Sequence, residues 1–396
     1  MKPTHKLLFV LCPMLVLGFI YYSSGKLHLY VWGQKPQKDA EEATVELTKG
    51  AEVKRIAERE NDITAGRIVS SVYDKQGFLL QLETKLPPEL AYKYGNLSEG
   101  VCKPGYAAAK MTSIYPKFIK SAPMFLDRNF KRLAKISSYL PPFGIKTQER
   151  IIDNILTTTK NYGLGEKLDS LNCRRCIVVG NGGILYNKSL GSRIDEYDVV
   201  VRLNEAPVRG YNRDVGTKTT LRITYPEGAI QKPESYEEDS LFVFSAFKPL
   251  DFKWLRHMVF KERLKGTEGF WKSVAQHVPR EPTEMRILNP YFIQEAAFQF
   301  IGLPFNNGLM GKGNIPTLGT VAITMALHNC DEVAVAGFGY DMSSPHAPLH
   351  YYENVRMSAI KEVSLIFSNN FTMDMTNNSL IQALKKGKAF SHLVWP

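Results

Sequence analysis

The run Cys173-Arg-Arg-Cys-Ile-Val-Val-Gly-Asn-Gly-Gly-Ile-Leu185, followed by Ile194-Asp-Glu-Tyr-Asp-Val-Val-Val-Arg-Leu-Asn204, decides the fold of this chain. Ile177–Val179 is a β-branched run that stops at Gly180, the pattern of a buried strand entering a tight glycine turn. Gly180, Gly182 and Gly183 allow positive φ and leave backbone N–H groups uncovered, so such a turn can receive an anion or a nucleotide. A second strand over Asp198–Arg202 then delivers Asn204. Two strands that end in polar groups at one edge describe a ligand site on an α/β sheet. One rival is a dinucleotide fold, but its fingerprint needs a glycine where Leu185 stands. The other is a plain turn with capping asparagines.

The 396 residues suffice for one large domain or two. An apolar share of 44% and a charged share of 22% are those of a globular protein. The net charge of +11 is scattered, with no basic arm or stripe, which argues against nucleic acid. An anionic ligand or a membrane surface suits the sign. Cys12, Cys102, Cys173, Cys176 and Cys330 include one Cys-x-x-Cys, so a four-thiolate zinc site lacks its second pair. In an oxidising compartment, four of the five could pair.

Lys2, His5 and Lys6 precede the uncharged, apolar Leu7–Tyr22. This reads as a transmembrane signal anchor with the N-terminus cytosolic and the rest of the chain across the membrane. A cleaved signal peptide ending near Ser23-Ser24-Gly25 is the rival. The expected order is a cytoplasmic tail (1–6), the anchor (7–22), a polar stem (23–80), a lumenal domain (81–362) and a tail (363–396). Asn96, Asn187, Asn370 and Asn377 each open a glycosylation sequon, which fits a lumenal domain. Within it, helical patterns over Ile151–Tyr162, Asp251–Leu264, Tyr291–Ile301 and Thr320–His328 alternate with strands. The strands are Thr219–Tyr225, Ser240–Ala246 and Glu332–Ala336 besides the opening pair, an alternation that indicates an α/β sheet.

Cys176–Asn204, Pro316–Gly339 and His350-Tyr-Tyr-Glu353 together resemble the large, small and third motifs of the eukaryotic sialyltransferases. The resemblance runs from about Cys102 to Glu362 and is strongest to the β-galactoside α-2,3 branch. It implies a Rossmann-like, mostly parallel sheet flanked by helices, a variant GT-A fold, in a Golgi type II membrane protein. It also implies inverting transfer of sialic acid from CMP-sialic acid to a galactose 3-hydroxyl, with galactose-terminated glycans as partners and a homo-oligomer as one option. No metal or other cofactor is implied, and no Asp-x-Asp occurs in the chain. A leaving group with one phosphate can be stabilised by hydrogen bonds and a cation instead.

By the same resemblance, Asn181 and Asn204 contact nucleotide and phosphate, and Tyr225 lines the cytidine pocket. Thr317 bonds the donor, and Gly319, Gly337 and Gly339 let backbone approach CMP. His350 sits beside the donor phosphate, where an imidazole can donate a hydrogen bond and help CMP leave. Cys176 resembles the partner of Cys330, and Cys102 that of Cys173. Taken singly, these residues have plainer readings: turn asparagines, loop glycines, a packed surface histidine and free thiols. One departure stands out. The family's base is a His followed five positions later by Glu, whereas His346 and His350 are followed there by Tyr351 and Val355, and His392 lies too near the end. The alternative is therefore an impaired form that binds donor, or a partner, without turnover. A loosely packed tail would go with it, since Val363–Pro396 has little apolar periodicity.

Overall fold

The computed structural model describes residues 101–114, 118, 122–264, 266, 268–301, 315–338 and 345–358, with short pieces at 72–73, 79–81, 92–94, 97 and 392–394. The anchor reading at Leu7–Tyr22, most of the stem, and Asn96, Asn370 and Asn377 lie outside these residues. No helix among the described residues is long and apolar enough to cross a membrane.

A short antiparallel pair, β1 (Val72–Tyr73) and β2 (Leu79–Gln81), forms a sheet of its own. The main sheet contains β3 (Arg175–Val179), β4 (Val199–Leu203), β5 (Leu221–Thr224), β6 (Leu241–Phe244), β7 (Met285–Ile287), β8 (Glu332–Ala336) and β9 (His392–Val394). Their order is β7-β6-β5-β4-β3-β8-β9, and every pairing is parallel. The chain leaves β3 outward through β4 to β7, then crosses back to lay β8 on the other side of β3. The order thus reverses between β3 and β8, the place where open α/β sheets bind ligands, outside the carboxyl ends of the strands.

Both faces of the sheet are covered, so its strands read as near-continuous apolar runs. Cys176 and Val178 of β3 join Val199 and Val201 of β4 in one buried cluster, while Ile177, Val179 and Val200 point into another. Helix α1 (Tyr106–Ile114) contributes Ala107, Ala108 and Met111 to the first cluster. Helix α2 (Glu149–Thr159) buries Ile152, Ile155, Leu156 and Thr159, the stripe expected of a 3.6-residue period. It packs with α3 (Pro249–Val259), whose Phe252, Leu255 and Val259 share its cluster with Phe242 and Phe244 of β6. Helix α5 (Leu318–Asn329) is buried all round from Leu318 to His328 because sheet, α1 and α4 (Tyr291–Gln294) enclose it.

Some expectations needed correction. The helical pattern over Tyr291–Ile301 splits into α4 and a π-helical stretch, Glu295–Ile301. β7 is three residues long, too short to carry an alternation, and was not foreseen. The end of the tail is not loose, since β9 lies parallel to β8 with His392 opposite Ala334 and Val394 opposite Ala336. Two disulfides hold the amino side of the sheet. Cys102–Cys173 ties the segment before α1 to the approach to β3, and Cys176–Cys330 ties β3 to the end of α5.

Candidate active site

The turn after β3 is closed by its own backbone. Gly180 N–H donates to Ala336 O (2.7 Å), Gly182 N–H to Gly337 O (3.0 Å) and Gly183 N–H to Leu349 O (2.9 Å). The expectation of positive φ and uncovered amides at these glycines is therefore wrong: none of the three has positive φ, and all three amides are spent. Close approach is what requires glycine. A Cβ on Gly183 would fall 1.9 Å from Pro348 O, and one on Gly180 2.5 Å from Gly337 O. The turn thus serves as a seat for residues 348–351 rather than as an open anion nest.

Positive φ appears instead at Asn204 (+53°) and Gly337 (+73°), at the ends of β4 and β8. Arg222 of β5 holds Asn204 in this left-handed backbone by donating from Nη1 to Asn204 O (2.7 Å) and Ala206 O (3.0 Å). The guanidinium is itself paired with Glu237. Burial pushes the Glu237 carboxyl up, but the Arg222 charge and its hydrogen bonds outweigh burial and hold it below the usual range. Gly228 makes room for the Asn204 side chain, since a Cβ there would lie 2.4 Å from Oδ1. Asn181 Oδ1 and Asn204 Oδ1 are both buried without a hydrogen-bond partner. Two orphaned acceptors at neighbouring strand ends are costly, about 1–3 kcal/mol each, and mark a place for a polar ligand.

His350 is fixed against this edge. It forms an isolated antiparallel bridge with Gly182, and Tyr351 N–H donates to Asn181 O (3.1 Å). Its Nδ1 lies 2.7 Å from Glu353 Oε2, and the Tyr352 ring stacks on it at 5.5 Å and 10°. Tyr351 is buried and donates its hydroxyl to Pro207 O (2.6 Å). Burial pushes that phenol up to about 12 against the pull of Arg202 and Arg222.

The other residues singled out from sequence gather at the same edge with more structural duties than expected. Thr317 is the N-cap of α5 and accepts from Thr320 N–H at 3.3 Å. Gly319 is small because a Cβ would strike the Phe338 ring at 2.6 Å, and Gly337 because of Leu185 at 2.5 Å. Tyr225 packs edge-on against Phe247 (5.2 Å), and burial raises its pKa. Gly339 lies outside the described residues. Asn187, also remote from this packing, is exposed with φ +58° beside Asp214, which accepts its N–H at 2.7 Å. Among the described residues no group of three or more His, Cys, Asp or Glu could hold a metal ion.

Sequence reasoning missed Arg222, Glu237 and Gly228, and it gave Glu353 no role beyond closing the third motif. An arginine inside Leu-Arg-Ile-Thr signals a buried ion pair, but nothing local names a partner fifteen residues on.

Residues 125–383 match the family model described as Glycosyltransferase family 29 (sialyltransferase). The chain belongs to that family. It is 64% identical over 358 residues to the human CMP-N-acetylneuraminate-beta-1,4-galactoside alpha-2,3-sialyltransferase, covering 90% of each chain. It is 38% identical over 291 residues to the human lactosylceramide alpha-2,3-sialyltransferase, covering 72% of this chain and 68% of that one. A crystal structure of a mammalian sialyltransferase in complex with Gal-beta-1-3GalNAc-ortho-nitrophenol shares the fold, with a TM-score of 0.50 and 24% identity over 70% of this chain and 96% of that chain. The family match runs past Glu362 into the tail. These likenesses favour a working transferase over a chain that only holds donor.

Proposed function

We propose that this sialyltransferase moves sialic acid from CMP-sialic acid to the 3-hydroxyl of a terminal β-linked galactose, with inversion and without a metal. It acts as a Golgi type II membrane protein on glycoprotein or glycolipid glycans. The observation that carries the donor site is the pair of buried, unpartnered amide oxygens on Asn181 and Asn204, with His350 bridged to the turn between them. The names of the relatives support the linkage and the acceptor sugar. The absence of Asp-x-Asp and the single phosphate of the donor support the metal-free reading.

In this mechanism the galactose O3 bonds to the anomeric carbon of sialic acid as the bond to the CMP phosphate breaks. CMP departs with the bonding pair. Asn181 and Asn204 accept at Oδ1 from hydroxyl or amino groups of the nucleotide and donate from Nδ2 to phosphate, Thr317 bonds the donor and Tyr225 lines the cytidine pocket. Gly319, Gly337 and Gly339 keep the backbone close, and His350 donates to the departing phosphate. The hydroxyl proton goes to a base other than a His-x4-Glu pair downstream of the third motif, since none follows His350.

The test is transfer by the full chain in microsomes, from CMP-sialic acid to N-acetyllactosamine, with and without chelator. Product cleaved by an α-2,3-specific sialidase and formed equally with chelator is expected. Donor binding without product, or product linked elsewhere, would overturn the assignment.

A further inference from the structure

We infer that Glu353 is a positioning residue for His350: its carboxylate fixes which imidazole nitrogen faces the donor. The inference deepens the proposed function, because it rests on His350 serving the departing phosphate. The observation is the 2.7 Å contact between His350 Nδ1 and Glu353 Oε2, three residues apart. An ionised carboxylate only accepts, so the hydrogen of this bond sits on Nδ1. Nε2 is left as the nitrogen that can serve a ligand.

The ring has little freedom to choose otherwise. Tyr352 lies parallel to one face, the backbone bridge to Gly182 holds the residue from below, and the Tyr351 amide is tied to Asn181 O. A rotation that exchanged the two nitrogens would break the bond to Glu353 and bring a bare carboxylate toward an anionic donor. With His350 between them, the two anions are separated by a ring that takes a second proton from solvent at Nε2 and so becomes a cation. Nε2–H then donates to the phosphate as negative charge develops there, while Glu353 balances the imidazolium from behind. No bond is made or broken to Glu353. Its effect reaches the substrate only through His350.

The test has a spectroscopic and a kinetic arm on the full chain in detergent. Nitrogen-15 labelling of histidine reads the tautomer directly, with His350→Gln identifying the His350 resonances. Nδ1–H is expected in the wild type, retained in Glu353→Asp and no longer enforced in Glu353→Ala. Partners that fix the tautomer of a metal-ligating histidine typically matter 10–100-fold, and kcat of Glu353→Gln and Glu353→Ala is expected to fall by about that factor. The donor KM should move less than about threefold, and Glu353→Asp should recover part of kcat. Should Glu353→Ala fail to fold, the near-isosteric Glu353→Gln carries both arms. A neutral wild-type imidazole with its hydrogen on Nε2 and none on Nδ1 overturns the inference outright. Loss of kcat in His350→Ala with none in Glu353→Gln overturns the positioning role. No loss in either variant overturns the reading of His350 on which that role rests.

Discussion

Asn204 combines a left-handed backbone, a carbonyl captured by Arg222 and an amide oxygen left without a partner. The first two hold the third in place, which is the order of causes expected where a fold stores cost at a binding site. Replacing Asn181 or Asn204 by Ala should weaken CMP binding by about 1.5–3 kcal/mol, the worth of a hydrogen bond to a charged group. Calorimetric titration with CMP measures it, and unchanged affinity in both variants would put the site elsewhere. A second residue-scale expectation concerns Asp251, buried under the first turn of α3. Burial lifts its carboxyl from 3.8 to about 6, opposed by the Phe247 and Lys248 amides and the Lys248 ammonium. The folded state therefore holds this proton more tightly than the unfolded state. The stabilisation is complete below about pH 4 and is lost as pH rises through about 6, a loss of about 3 kcal/mol. Unfolding free energies of wild type and Asp251→Asn should diverge over that window, and parallel curves would contradict it. Asn181 and Asn204 were legible because β-branched runs end at them. Asp251 and Arg222 were not, since their burial depends on the chain that covers them.

At the scale of elements, legibility followed local signal strength. β3, β4 and β8 are strings of Val, Ile and Ala bounded by Gly or Asn, and the sequence reading placed each within two residues. The core of α5 was placed from the sequence as Thr320–His328, and Thr317, read as a donor contact, is also its cap. The π-helical stretch had no local signature, because π-helix differs from α-helix in hydrogen-bond register rather than in composition. The disulfide from β3 to the end of α5 joins two elements that lie on each other in the core, so its loss is felt at the centre of the sheet. Cys330→Ser should cost about 2–5 kcal/mol in thermal unfolding, and a melting curve like the wild type's would refute this.

For the whole molecule, the sequence was right about the class of fold and silent about its order, since register between distant strands leaves no trace in either strand alone. The tail shows this most clearly. Within it, His392–Val394 form β9 on the edge of β8, so they belong to the sheet. Removing residues 391–396 uncovers the β8 edge, and thermal unfolding should show a loss of about 1–4 kcal/mol from the missing ladder bonds. An unchanged melt would mean that β9 adds nothing. The register also sets the backbone of His392 opposite Ala334, two residues short of the carboxyl edge where β8 ends.

The seat that Gly180–Gly183 make for residues 348–351 also sets a timetable for making the protein. During synthesis the turn emerges about 170 residues before His350, roughly 10–35 s at 5–20 residues per second. Until then the Gly183 amide lacks its carbonyl. Over most of that interval Cys176 waits for Cys330, 154 residues downstream, while Cys102 and Cys173 are already out. Three thiols are thus exposed together before the fourth exists, and a Cys102–Cys176 bond is the error that the nascent chain must be kept from making. The yield of active enzyme should therefore depend on how well disulfides are reshuffled while the chain folds, and not on the stability of the finished fold alone.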